Sequence, residues 1–340
     1  MKKAVTIKEI AEALGLSRNT VSKALNGQPV PEKTRELVLR KASELNYKSI
    51  NAEVLHGKKY RILLLSGKPL HNIEFYVPVI QSVENYCYDH HYELFQFTYN
   101  ASASSKEAIV HHIREMNVDG ILGIECFDSE FINTLEELGV PLSFIDFPGY
   151  KFETKGRFDL VCCSDQKLVC ELAKSLIQQY KIRRLCFVGD YRHCLSFHER
   201  YMGMIRALQR KDLPHSVQED ILEDDAAFDY GDVARLKERI QAFKRVPECF
   251  VCCNDFVARK VTEACKELGY FVPEDVFVFG FDGTGWAVNG SPKLTTFNVD
   301  KEFLGEEAMR SLSIRIRHPE SPTKTIFLDC DVISRESTKR

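Results

Sequence analysis

Val5-Thr6-Ile7-Lys8-Glu9-Ile10-Ala11-Glu12-Ala13-Leu14-Gly15-Leu16-Ser17-Arg18-Asn19-Thr20-Val21-Ser22-Lys23-Ala24-Leu25-Asn26-Gly27 reads as two short helices and the turn between them. Thr6 and Glu9 have the spacing of a capping box, and Ile7, Ile10, Ala11 and Leu14 then share one helical face. Gly15 suits a left-handed helix end, and Ser17 suits the N-cap of a second helix from Arg18 to Leu25. In that helix Val21, Ala24 and Leu25 turn inward, Arg18, Asn19, Ser22 and Lys23 form a polar face, and Asn26-Gly27 stops it. A third helix, roughly 32–46, directs Leu37, Val38 and Leu45 inward.

This order is a helix-turn-helix, whose second helix fits the major groove of B-form DNA. Arg18 at its start can bind a guanine edge through two hydrogen bonds, and Asn19 can do the same with adenine. Thr20, Ser22 and Lys23 suit phosphates or adjoining bases, and Thr6, Ser17 and Asn26 at the helix ends complete the candidate contacts.

Charge separates this head from the rest. Residues 1–59 carry nine Lys and three Arg against six Glu, a net +6 within a chain of net −3, which leaves −9 for residues 60–340. Phosphates attract a compact basic module and repel an acidic one, so the head is the part expected to touch nucleic acid. All twelve cysteines lie after residue 86, most in apolar runs such as Leu160 to Cys163 and Cys249 to Cys253, where cysteine acts as a small buried hydrophobe. Cys249 and Cys252 have C-x-x-C spacing, but neighbouring strand residues point to opposite faces and no second ligand pair follows, so no metal is expected. Twelve irregularly spaced thiols, no run of ~18 apolar residues and no apolar core behind Met1-Lys2-Lys3 lead to an expected cytosolic location.

From Tyr60 onward, apolar strand-like runs alternate with helical stretches. The runs are Ile62–Leu65, Glu93–Phe97, Asp119–Ile124 and Leu142–Ile145, then Leu160–Cys163, Leu185–Val188, Phe250–Cys253 and Val276–Phe279. Continuous apolar runs between helices indicate parallel sheets covered on both faces. Two sets of four suggest an α/β body of two doubly wound subdomains, with a ligand between them at the carboxyl ends of the strands.

Val5 to Ala11, Gly15-Leu16-Ser17, Thr20 to Gly27, Thr34-Arg35 and Leu45-Asn46-Tyr47 together closely resemble the N-terminal domain of the LacI/GalR family of transcriptional regulators. The resemblance continues through Val118 to Ile121, Arg200 with Gly203, Cys253-Asn254-Asp255, Val272 to Val276, Gly280-Phe281-Asp282 and Leu294 to Phe297, nearly the whole chain. It implies an all-α helix-turn-helix domain over residues 1–48, a hinge over 49–59, and a body over 60–340 of the periplasmic-binding-protein type. Within the body, one subdomain is expected from about 60–161 and 293–323, the other from about 162–292 and 324–340.

The resemblance also implies roles. Arg18 and Asn19 choose operator bases, and Lys23 stands where the family usually has Arg. The hinge becomes helical on operator and pairs with its twin, Leu55 acting as a minor-groove wedge and Ala52 allowing close approach, although the usual Pro before Asn51 is missing and Glu53 adds a negative charge. Arg200 and Asp282 grip a small-molecule effector, commonly a sugar, with Asn254 and Asp255 at the cleft edge. Trp286, in the loop after Asp282, offers a stacking platform, and Phe75 and Tyr76 occupy the family's aromatic stretch along the cleft. Asp146 and Asp165 stand at strand ends that often face the cleft, and helices at 75–89 and 254–269 carry the contact of a homodimer.

No cofactor or catalysis is expected. Asp282-Gly283-Thr284-Gly285 lacks the second Asp segment of an aspartic protease, and there is no dinucleotide, Walker, nucleophile-elbow or H-E-x-x-H motif. Two other readings remain open on sequence: a small-molecule receptor acting through a protein partner, and a DNA-binding regulator answering to a nucleobase or a phosphoprotein.

Overall fold

The structure is a computed structural model that describes residues 5–26, 28–45, 47, 59–67, 73–99, 105–148, 156–213, 220–221 and 230–340. The chain divides into two compact units, one of residues 1–61 with 87–93, the other of 62–86 with 94–340. Gly27 and the hinge expected over 49–59, except Lys59, lie outside the described residues, as do Ala52 and Leu55.

The first unit holds α1 (Ile7–Leu14), α2 (Arg18–Leu25) and α3 (Glu32–Glu44). The capping box forms as read: the Thr6 hydroxyl accepts from Glu9 N at 3.3 Å and the Glu9 carboxylate accepts from Thr6 N at 2.7 Å. Gly15 ends α1 at φ 66°, which glycine adopts without a Cβ penalty, and Ser17 Oγ accepts from Thr20 N at 3.0 Å to start α2. Ile10, Ala11, Val21, Ala24, Leu25, Val38 and Ala42 make the core. Leu37 is 37% exposed, contrary to the inward position expected of it, because Val38 and Ala42, four residues apart, define the buried stripe of α3.

The second unit has two lobes. The first is a six-stranded sheet in the order β10-β5-β4-β3-β1-β2, formed by β1 (Arg61–Ser66), β2 (Glu93–Thr98), β3 (Gly120–Ile124), β4 (Leu142–Ile145), β5 (Phe158–Cys163) and β10 (Thr325–Leu328). The pairs β1–β3, β3–β4, β4–β5 and β5–β10 are parallel. Helices α4 (Ile73–Asp89), α5 (Lys106–Met116), α6 (Ser129–Glu136) and α11 (Lys301–Arg317) belong to this lobe, and α11 lies against β3, β4 and β5.

The second lobe carries the parallel sheet β6 (Leu185–Val188), β7 (Cys249–Cys252), β8 (Phe277–Phe279) and an antiparallel ribbon of β9 (Thr296–Asn298) with β11 (Asp331–Ile333). Its helices are α7 (Asp165–Tyr180), α8 (Leu195–Gln209), α9 (Val233–Gln241) and α10 (Asp255–Glu267), with 3-10 turns at Gly285–Ala287 and Glu336–Thr338.

The lobe boundaries differ from those expected. The strand at Leu160–Cys163 joins the first sheet, and Thr325–Leu328 pairs beside it instead of lying in the second lobe, while 294–299 lies with the second. Asp159 explains the first two. It is fully buried in β5, bound to the Arg315 guanidinium and Ser311 hydroxyl of α11 and to the amide of Lys324 just before β10. A buried carboxylate without that cation would cost several kcal/mol, on the order of 3–5, so the pair holds β5 and β10 to α11.

Candidate nucleic-acid interface and ligand cavity

On the head, the side chains of Arg18, Asn19 and Lys23 are exposed along the start and outer face of α2, with Ser22 half-buried between them. Arg18 and Asn19 make no hydrogen bond or ion pair among the described residues, so their donors are available to base edges. The remaining head candidates are exposed or half-buried but already serve the helix ends. Ser17 and Thr20 share a hydroxyl contact at 2.8 Å, Asn26 donates to Ser22 O at 2.9 Å, and Thr6 sits in the capping box.

In the body, a cavity of about 870 Å³ opens between the lobes, at the carboxyl ends of β4, β5 and β7. Seven of the eight expected ligand residues line it: Phe75, Tyr76, Asp146, Arg200, Asn254, Asp282 and Trp286. Arg200 anchors the floor. Its Nε donates to Asp165 at 2.8 Å, its Nη1 to the Cys253 carbonyl, and its Nη2 lies 3.4 Å from Asp282, while the guanidinium carbon stands 3.8 Å from the centre of the Phe281 ring. Burial opposes its charge, but Asp165 and Asp282 outweigh that and hold it firmly cationic.

One cation thus serves two carboxylates. Burial pushes the Asp165 carboxyl up to about 7 even with Arg200 beside it, so near neutrality this site takes up a proton. Asp165 supports Arg200 from beneath and does not line the cavity. Asp255 was expected at the cleft edge and is instead behind its wall, 1% exposed. Its Oδ2 accepts from Thr284 N at 2.8 Å and Thr284 Oγ1 at 3.2 Å, and burial with the nearby Asp282 charge pushes it up to about 7. As the first residue of α10 it ties that helix to the loop carrying Trp286, whereas Asn254 caps the helix through Val257 N at 2.9 Å and stays on the wall.

Asp146 and Asp282 are both non-glycine residues at positive φ, 61° and 102°. Such conformations cost roughly 1–3 kcal/mol each and persist where surrounding contacts impose them. Here Asp146 Oδ1 accepts from the amides of Phe147 and Ser196, and Asp282 N donates to Phe297 O. Trp286 meets Phe256 edge-to-face at 5.2 Å, and its carbonyl accepts both Nε and Nη2 of Arg259 at 3.2 Å, which fixes the platform. Phe75 and Tyr76 stand on the first turn of α4, and Glu74 of the same turn accepts from Gly285 N at 2.7 Å, which links that turn to the opposite lobe.

Known proteins resemble both parts of the chain. Residues 6–49 match the bacterial regulatory proteins of the lacI family, and 176–338 match the periplasmic binding protein-like domain. The HTH-type transcriptional repressor PurR of Vibrio parahaemolyticus is 28% identical over 343 residues, covering 98% of this chain and 99% of that protein. Two solved structures share the fold: the cellobiose complex of transcriptional regulator CelR, at TM-score 0.72, 23% identity and 98% and 99% coverage of the two chains, and the lac repressor dimer bound to operator and the anti-inducer ONPF, at 0.68, 21% and 99% of each.

Its head is a DNA-binding domain of the LacI family, and its body is of the periplasmic-binding-protein-like type. The chain is a DNA-binding transcription regulator, and the relative named above is a transcriptional repressor. Among the described residues no group of three His, Cys, Asp or Glu side chains is placed to hold a metal ion, and no helix is long and apolar enough to cross a membrane.

The cavity also has walls that the sequence did not single out: Glu74, Glu125, Phe127, Asp190, His193 and Phe197. Glu125 carries a signal in the backbone, a positive φ of 50°, but neither it nor the loop residues Asp190 and His193 stand in a motif. Their only mark in sequence is that each follows a strand's carboxyl end, where α/β sheets bind ligands.

Proposed function

We propose that this protein is a cytoplasmic LacI-family repressor that binds a near-palindromic operator as a homodimer and is controlled by a neutral sugar held in the cavity between the body lobes. The charge of the cavity carries this reading of the ligand. Among the described residues five carboxylates, from Glu74, Glu125, Asp146, Asp190 and Asp282, line it against one guanidinium, Arg200. Carboxylates accept sugar hydroxyls, while a phosphate would meet repulsion, so a polyhydroxyl ligand fits better than a phosphorylated one. Trp286, Phe75 and Phe197 offer rings to the C–H faces of a pyranose or furanose.

Arg18 and Asn19 read bases, and Thr6, Ser17, Thr20, Ser22, Lys23 and Asn26 set the register on the backbone. Ala52 and Leu55 of the hinge bring the two protomers to the central minor groove. Dimerisation through α4 and α10 is supported by the exposed Val77 and Tyr88 of α4, and the lac repressor neighbour is itself a dimer on operator. By linkage, sugar and operator change each other's affinity by one common factor.

Selection from random duplexes at fixed near-physiological salt, with wild type and Arg18→Ala, tests the first half. One palindrome that the variant no longer prefers supports it. Weak, sequence-independent and strongly salt-sensitive binding by the wild type would instead favour a receptor acting through a protein partner. Titration of cellobiose, ribose and their phosphates against Trp286 fluorescence and operator affinity tests the second, and a response to the phosphates alone would overturn the neutral ligand.

A further inference from the structure

The chain passes between the lobes at the end of β5, between β9 and α11, and between β10 and β11. Cys163 is the last residue of β5, and Cys330 is the second residue after β10. The two strands are neighbours, with Cys163 opposite Leu328 in the parallel ladder. The Leu328 carbonyl accepts the amide of Ser164 at 2.8 Å and lies 3.9 Å from the Cys330 sulfur, so the end of β5 and the Cys330 thiol meet at one peptide group. Cys163 also lines the cavity, which gives small solutes a route to it. Cys162, Cys194 and Cys253 also border the cavity, but Cys163 is the one whose strand end lies beside Cys330.

We propose that Cys163 and Cys330 are an oxidisable dithiol whose disulfide, formed with a hydroperoxide, ties two of the interlobe crossings together. The Cys163 sulfur attacks the peroxide, the O–O bond breaks, and an alcohol leaves as the sulfenic acid forms. The Cys330 sulfur then displaces that hydroxyl as water, so the two thiols lose two electrons and two protons to the peroxide. The neighbouring Cys330 thiol, burial and the Asp165 charge push the Cys163 thiol well above its usual range. The thiolate is therefore scarce, and the site answers sustained oxidant rather than a brief pulse. A covalent tie across two crossings restricts the lobe rearrangement through which an effector would act. That consequence rests on the proposed function, whereas the crosslink does not.

The test treats reduced full-length protein with tert-butyl hydroperoxide, alkylates the remaining thiols after unfolding, and maps peptides by mass. The expected product is a dominant Cys163–Cys330 disulfide, absent in Cys330→Ser and Cys330→Ala and reversed by dithiothreitol. Amide exchange over 163–165 and 328–331 should slow roughly tenfold in the oxidised wild type only. Dominant disulfides elsewhere, or sulfinic acid at Cys163 without a link, would overturn the site. A link that leaves exchange unchanged would overturn the hinge tie. Reduced protein that selects no operator would instead count against the proposed function while leaving the crosslink standing.

Discussion

Replacing Arg200 by methionine retains a long apolar stem over the Phe281 ring but removes the cation between Asp165 and Asp282. The wild-type side chain contributes the 2.8 Å bond to Asp165, the 3.4 Å pair with Asp282 and the bond to the Cys253 carbonyl, all at 4% exposure. Stripping one partner from a buried ion pair costs about 3–5 kcal/mol. That cost must depend on pH. Asp165 sits at about 7 with Arg200 present, and without it the carboxyl rises further. The folded state then binds the proton more tightly than the unfolded chain, so stability falls as pH rises from the unfolded carboxylate value, ~4, to the folded one. In Arg200→Met that fall extends to higher pH, and the penalty relative to wild type grows between pH 6 and 8.5 by about 1.4 kcal/mol per added pKa unit. Urea unfolding followed by Trp286, the single tryptophan, reports on the body alone. A penalty below about 1 kcal/mol, or one that is flat or shrinking from pH 6 to 8.5, would show that Arg200 does not neutralise Asp165 in the folded body.

Arg18→Ala should cost about 1–3 kcal/mol of discrimination at one operator position while changing non-specific affinity far less, checked by competition binding at fixed salt. Asp255→Asn preserves an acceptor for Thr284 but cannot titrate. Since Asp255 rises to about 7 on folding, wild-type stability declines from pH ~4 to ~7 by up to about 4 kcal/mol through this group. The variant should lose that part of the slope, and an identical slope would remove the assignment. Gly203→Ala places a Cβ 2.7 Å from Gln166 O and 2.8 Å from Val169 Cβ where α8 crosses α7, so the urea midpoint should fall by an amount worth about 1–3 kcal/mol.

The head was legible residue by residue because its signals are local. Thr6 and Glu9 cap one helix three residues apart, Gly15 terminates it, and Ser17 begins the next, all within one turn of the groups they satisfy. Leu37 was misread because two apolar neighbours, Leu37 and Val38, compete for one face, and only packing against α1 and α2 chooses. In the cavity, the motif residues Arg200, Asp282 and Trp286 stand where expected, but Asp255 and Asn254 are adjacent in sequence and part company at the wall. The first turns of a helix spread consecutive side chains by ~100°, so one meets the ligand space and the next meets Thr284.

Local signals along the chain suffice for the helix-turn-helix, the alternation of strand and helix in the body, and the charge contrast between head and body, because capping, periodicity and composition act over a few residues. Long-range packing sets that β5 and β10 complete the first sheet, that Asp165 and Asp255 lie behind the cavity while Glu125, Asp190 and His193 line it, and that Cys163 and Cys330 come to the ends of neighbouring strands. Parallel strands are joined through distant crossovers, so their pairing rests on buried contacts such as Asp159 with Arg315, 156 residues apart, which no local pattern encodes.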